Sequence, residues 1–261
     1  MERDGPCYEE HVRRIKRELA DIVDVSFRAS PFRTLKTRFL VACSARSGSH
    51  LLCESLADHG AAAREAFDAK WIAARCRQWR LRSLEAYCQA LIGRLAPNGV
   101  FGVKGGIQIL APLELAGELP RHLADWRFVF LKRQDSLKQA ISQYIASSSG
   151  SYRSSKAPRR ILTDDDFDGR KIATMARGRQ LINAEWEQFF TAHGVEPHRV
   201  DYEDMIVDLP GVVARVTEYL DIHGPPIPAR LRPPPFERQA TELNSRWEAR
   251  FKAEGWSIGA I

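Results

Sequence analysis

Six consecutive residues, Ser44-Ala45-Arg46-Ser47-Gly48-Ser49, concentrate side chains suited to holding an anion. They follow a short apolar run, residues 38–43, and precede an apolar stretch with helical spacing, residues 50–56. A turn between a strand and a helix aims backbone N–H groups and the positive end of the helix dipole at one point, which favours negative charge there. Gly48 lets the backbone approach closely, Ser47 and Ser49 add hydroxyl donors, and Arg46 adds a planar cation. A Walker A loop requires G-x-x-x-x-G-K-[ST]; this turn has neither the first glycine nor the lysine, which disfavours a nucleoside-triphosphate kinase. Read alone, the turn serves equally well as an ordinary helix start capped by its serines.

A second group lies further along the chain. The apolar run 127–131 ends in Lys132-Arg133, and Ser142 follows one helical stretch later. An arginine at the carboxyl end of a strand and a serine on the next helix both reach a ligand at the edge of an open α/β sheet, and can hold one phosphate from two sides. Arg238, just after the proline-rich PPIPARLRPPP, is a cation for a second phosphate. Trp247 and Phe251, four apart on one helix face, read as core packing rather than a platform for a base.

These groups need a frame. Val12, Ile15, Leu19, Ile22 and Val23 recur at helical spacing over residues 8–27. Strands are expected at 38–43, 100–104, 127–131 and 199–202, and helices at 50–56, 70–95, 108–119, 135–146, 163–193 and 210–220, with a basic helix at the C-terminus. Asp135 reads as a helix cap, and Thr163 with Asp164, Asp165 and Asp166 as a strong helix start. The stretch SSSGSYRSSKAPRR, residues 147–160, reads as a mobile polar loop. Strands alternating with helices argue for an α/β fold, a mostly parallel sheet with helices on both faces.

Composition narrows the partners. The 261 residues carry 39 basic and 33 acidic side chains, a formal charge of +6, with 44% apolar residues. The excess is modest and the arginines are scattered, with no zinc-finger spacing, so nucleic acid is not expected as a partner. Five cysteines without a C-x-x-C pair argue against a disulfide framework or a structural metal site and for a reducing compartment, hence a cytoplasmic location. No apolar run reaches the roughly 18 residues of a membrane span, and the first residues, MERDGPCYEEHVRR, lack the apolar centre of a signal peptide.

The segments ARSGSHLL, PNGVFGVK, FLKRQDSLKQAIS and ERQATELNSRW stand in the order seen in sulfotransferases, and the chain resembles most the bacterial trehalose 2-sulfotransferase group from residue 38 to about 255. The resemblance implies a P-loop-kinase-like fold, transfer of a sulfuryl group from 3′-phosphoadenosine 5′-phosphosulfate (PAPS) to a hydroxyl of a carbohydrate or glycolipid, the acceptor being a small molecule or a glycolipid, and no metal. It divides the chain into an N-terminal helical extension, 1–37, and a sulfotransferase domain, 38–261; a homodimer is compatible with it. It assigns Arg46, Ser47, Gly48, Ser49 and His50 to the 5′-phosphosulfate end, Arg133 and Ser142 to the 3′-phosphate, and Arg238 and Gln239 to a segment closing over the nucleotide. His50 stands where the family usually has a small hydroxyl residue. Glu65, in Arg64-Glu65-Ala66-Phe67, is the nearest match to the family's acidic base, with His50 and His59 as the other candidates. Lys104, at the end of the second strand, joins Arg46 in stabilising the departing phosphate. A P-loop phosphotransferase and a non-catalytic nucleotide-binding relic of the fold remain the competing readings.

Overall fold

In the computed structural model the described residues are 6–19, 24–152, 157–223 and 241–259. Five strands, β1 (Thr37–Cys43), β2 (Ala63–Arg64), β3 (Val100–Gly105), β4 (Trp126–Lys132) and β5 (His198–Asp201), form one sheet in the order β2-β3-β1-β4-β5. Every pairing is parallel. The helices are α1 (Pro6–Leu19), α2 (Ser49–Ala57), α3 (Ala69–Trp79), α4 (Leu84–Leu95), α5 (Leu110–Leu115), α6 (Glu118–His122), α7 (Ser136–Ser149), α8 (Gly169–His193), α9 (Tyr202–Val207), α10 (Leu209–Tyr219) and α11 (Glu242–Ala253).

The alternation of strand side chains explains why both faces are covered. On β1, Leu40 and Ala42 enter a core shared with α1, α3, α4 and α8, whereas Phe39, Val41 and Cys43 enter a second core against α2 and α10. On β4, Phe128 and Phe130 take the first face, Val129 and Leu131 the second. A strand buried on both sides reads as a continuous apolar run, which is why these two were visible in sequence. Each fully buried large side chain contributes about 1.5–3 kcal/mol relative to exposure. The residues before β1 belong to the same packing: Ile15, Leu19 and Phe32 are fully buried in the first core. A third cluster joins α7, α8 and α11 through Tyr144, Ile172, Trp247 and Phe251.

Several expected elements differ. The helix expected over 8–27 ends at Leu19, and Ile22 and Val23 lie outside the described residues. The single helix expected over 70–95 is two, because Arg80 takes the left-handed conformation (φ 56°) and closes α3, while the Ser83 side chain caps α4. The helix expected over 108–119 is broken at Gly117 (φ 74°). Residues 164–166 form a 3₁₀ turn, and α8 starts later, capped by Asp168. Helix α7 extends to Ser149, taking in the first residues expected to be loop. Strand β2, only two residues long, carries no periodic signal and was missed.

Candidate active site

The chain leaves β1 through α2 toward β2 and leaves β4 through α7 and α8 toward β5, in opposite directions along the sheet. Adjacent strands whose connections diverge open a crevice at their carboxyl ends, where open α/β sheets bind ligands. The β1–α2 loop and the residues after β4 meet there.

The loop is held in an unusual shape. Arg46 has φ 65°, a left-handed conformation disfavoured for a side chain of this size, and Gly48 has φ 92°. Four hydrogen bonds to α7 and the residues beyond it hold it in place. Gln139, fully buried, donates from Nε2 to Ser44 Oγ (2.9 Å) and to the Ala45 carbonyl (2.7 Å). Arg46 Nε donates to Ser142 Oγ (3.0 Å), and Nη1 to the Tyr152 carbonyl (2.9 Å). Gly48 must be glycine for a second reason: a Cβ there would lie 2.6 Å from Tyr202 Cδ2.

The resulting concavity is rich in donors. Gly48 starts α2 without a side-chain cap, and no acidic residue stands in the first turn, so the helix N-terminus keeps its affinity for an anion. Ser47 is fully buried, and its Oγ makes no hydrogen bond among the described residues. Burial and the nearby charge of Arg133 both push the Arg46 guanidinium down from its ordinary value. Two arginines brought together at this cost are stabilised by negative charge between them. The Arg133 guanidinium lies over the Tyr202 ring, 4.5 Å from its centroid.

On the other side of the loop lies a carboxylate–ammonium pair. Register pairs Arg64 with Val103, and the next residues on, Glu65 and Lys104, bring Glu65 Oε1 to 3.4 Å from Lys104 Nζ. Lys104 is 3% exposed and Glu65 57% exposed. The ammonium is within ion-pair range, yet its angle makes no hydrogen bond with any described residue. His50 Nε2 stands 4.0 Å from the same Glu65 oxygen. His59 lies at the other end of α2, where its N–H donates to the Leu56 carbonyl, away from Glu65.

Arg46, Ser47, Gly48, Ser49, His50, Glu65, Lys104, Arg133 and Ser142 therefore converge on one edge of the sheet. Ser142 accepts from Arg46 rather than standing beside Arg133 alone. Arg238 and Gln239 lie outside the described residues. Among the described residues no group of His, Cys, Asp and Glu assembles that could hold a metal ion, and no helix is long and apolar enough to cross a membrane. Trp247 and Phe251 are core residues. Sequence reasoning missed Gln139 as the link to the loop and Tyr202 as the ring that fits Gly48 and carries Arg133. Tyr202 had one available signal, its place just beyond the carboxyl end of a short strand.

The arrangement can hold a polyanion between the α2 N-terminus, Arg46 and Arg133, and can take a proton at Glu65 beside a buried cation. Comparison with known proteins adds to it. A model described as Stf0 sulphotransferase matches residues 38–254. The trehalose 2-sulfotransferase of Mycolicibacterium smegmatis is 28% identical over 268 residues, covering 85% of this chain and 97% of that protein. The trehalose 2-sulfotransferase of Mycobacterium tuberculosis is 27% identical over 177 residues, 62% of this chain and 64% of that protein, so this match spans less than two thirds of that relative. The sulfotransferase domain of the Synechococcus PCC 7002 olefin synthase aligns over 85% of this chain and 95% of its own, at 14% identity and a TM-score of 0.46.

Proposed function

The chain belongs to the Stf0 sulphotransferase family, and on that footing we propose that it moves a sulfuryl group from PAPS to a hydroxyl of a carbohydrate. The observation that carries this reading is the Glu65–Lys104 pair, 3.4 Å apart, set beside a loop built for anions. The residues fit a phosphosulfate donor: a buried serine hydroxyl and a buried ammonium, each without a hydrogen bond among the described residues, flank the open end of α2. The donor, when bound, supplies an activated sulfuryl group on a phosphate bridge.

The chain's own residues then have three tasks. Glu65 accepts the acceptor's proton as its oxygen bonds to sulfur. Lys104, withdrawn from water, stabilises charge on the sulfuryl oxygens and on the departing phosphate more strongly than an exposed lysine would. Arg46, Ser47 and Ser49, with the amides of the α2 N-terminus, hold the 5′-phosphate, and Arg133 holds the 3′-phosphate. Such transfer depends on positioning and electrostatics more than on covalent help. The relatives' names point to trehalose as the first acceptor to try.

The test uses labelled sulfate. Transfer from PAPS to trehalose or another sugar, with stabilisation by adenosine 3′,5′-bisphosphate in the absence of magnesium, is the expected result. Stabilisation by magnesium ATP alone, with phosphate transfer, would assign the site to a phosphotransferase. Nucleotide binding without sulfate transfer to any sugar or cell-extract acceptor would make the chain a non-catalytic binder.

A further inference from the structure

The outer face of α3 carries a concentration of positive charge that the proposed reaction does not use. From Ala69 to Leu84 the chain has Lys70, Arg75, Arg77, Arg80 and Arg82 and not one carboxylate. Five cations within sixteen residues, with no carboxylate among them, make this a dense basic stretch of the chain. Lys70, Arg77, Arg80 and Arg82 are exposed. Carboxylates that border the stretch have other partners: Asp24, whose backbone meets Arg82 and Leu84, accepts from Ser26, Asp68 caps α3, Glu85 accepts from the Arg28 N–H, and Glu18 pairs with Arg14 at 2.7 Å.

Tryptophan is interleaved with this charge. Trp71 is 51% exposed in the first turn of α3. Arg75 lies between Trp71 and Trp79, 5.9 and 5.7 Å from their rings, and Arg94 of α4 covers Trp79 at 4.3 Å. The ladder runs from the start of α3 to the end of α4. One exposed cation beside the ladder is held at a conformational cost. Arg80 occupies the left-handed position that closes α3, where glycine or asparagine is the favoured residue. A cation is retained at a place where backbone preference disfavours it.

We propose that this face docks on an anionic phospholipid bilayer. Exposed tryptophan beside lysine and arginine on a helix lying flat against the domain suits the boundary between headgroups and water. Each cation near an anionic surface adds attraction that falls off within a Debye length. Two copies of this face repel each other, so a symmetric contact between protomers would set like charge against like. The exposed surface of a helix, with its tryptophans partly covered by arginines, offers no slot for an inserted base.

The experiment is co-sedimentation of the full chain with vesicles of phosphatidylcholine alone and of phosphatidylcholine mixed with phosphatidylglycerol. Binding to the mixed vesicles only, abolished by high salt, is expected. Arg80→Gly removes a charge while giving the left-handed position its preferred residue, so the fold is kept; binding should weaken about fivefold. Trp71→Ala should weaken binding to the same vesicles at unchanged charge. Equal binding to neutral vesicles, no binding to anionic ones, or full retention by both variants would overturn the proposal. Tighter binding to duplex DNA than to mixed vesicles at equal phosphate and salt would overturn it in favour of a nucleic-acid surface.

Discussion

Lys104 Nζ and Glu65 Oε1 lie 3.4 Å apart, one group buried and the other more than half exposed. An exposed carboxylate can meet an acceptor hydroxyl, while the buried ammonium beside it is placed to stabilise charge that develops on the transferred group. Glu65→Gln keeps the size and loses the proton acceptor. Turnover should fall by about 10²–10⁴, the usual contribution of a general base, with adenosine 3′,5′-bisphosphate affinity nearly unchanged by calorimetric titration. Full turnover in Glu65→Gln, with loss in His50→Ala, would transfer the role to His50.

Arg133 offers a test of the nucleotide's orientation. Arg133→Ala should weaken adenosine 3′,5′-bisphosphate by roughly 1.5–3 kcal/mol, the range for a lost charge-assisted hydrogen bond, and leave adenosine 5′-monophosphate nearly untouched. Equal loss for both nucleotides would remove Arg133 from the 3′-phosphate.

Gln139 ties α7 to the anion loop through two bonds to Ser44 and Ala45. Gln139→Leu fills similar volume and strands a buried hydroxyl and carbonyl, at a cost of about 1–3 kcal/mol. Urea unfolding should register that loss, and bisphosphate affinity should fall with it. A variant as stable as the parent, with parental affinity, would show that the loop holds its shape without Gln139.

Burial pushes the thiols of Cys43 and Cys88 up, that of Cys53 to about 12 and that of Cys76 to about 11. The thiolate is the reactive form. An alkylating reagent at mildly alkaline pH should therefore spare these four in the native protein and modify them on unfolding, as read by mass spectrometry.

Glu187 accepts from Arg199 and pairs with Lys132, and both cations hold its carboxyl below the ordinary carboxylate range. A lowered folded value contributes stability above the unfolded one and loses it as pH falls through the folded one. The stability difference between the parent and Glu187→Gln should be largest near neutrality and shrink in acid. A constant difference across that range would rule the ion pair out as its source.

The parts of this fold that were legible in sequence are those governed by local chemistry. β1 and β4 are apolar runs because both their faces are buried, and Asp135 caps α7 through its own side chain, accepting from the Lys138 N–H. The anion loop was legible because glycine, serine and arginine are adjacent in the chain. Other features depend on contacts between distant residues. β2 exists because Ala63 and Arg64 meet Gly102 and Val103 across the sheet, and Tyr202 reaches Gly48 across more than half the chain. Glu65 had no local signature and came from the resemblance alone; its place beside Lys104 follows from register. The break at Arg80 was hidden because arginine is ordinarily a good helix former.

The strand order also sets the timetable on which the protein can be made. β1, residues Thr37–Cys43, is the middle of the sheet, yet its neighbours are β3 and β4, and β4 closes only with Lys132. During synthesis the run TRFLVAC keeps at least one bare edge until the chain has grown through Lys132. An apolar strand with an unpaired edge is a template for association with other chains. Fragments ending before Trp126 should accumulate as aggregates, and slowing translation between β3 and β4 should lower the soluble yield more than slowing it after β5.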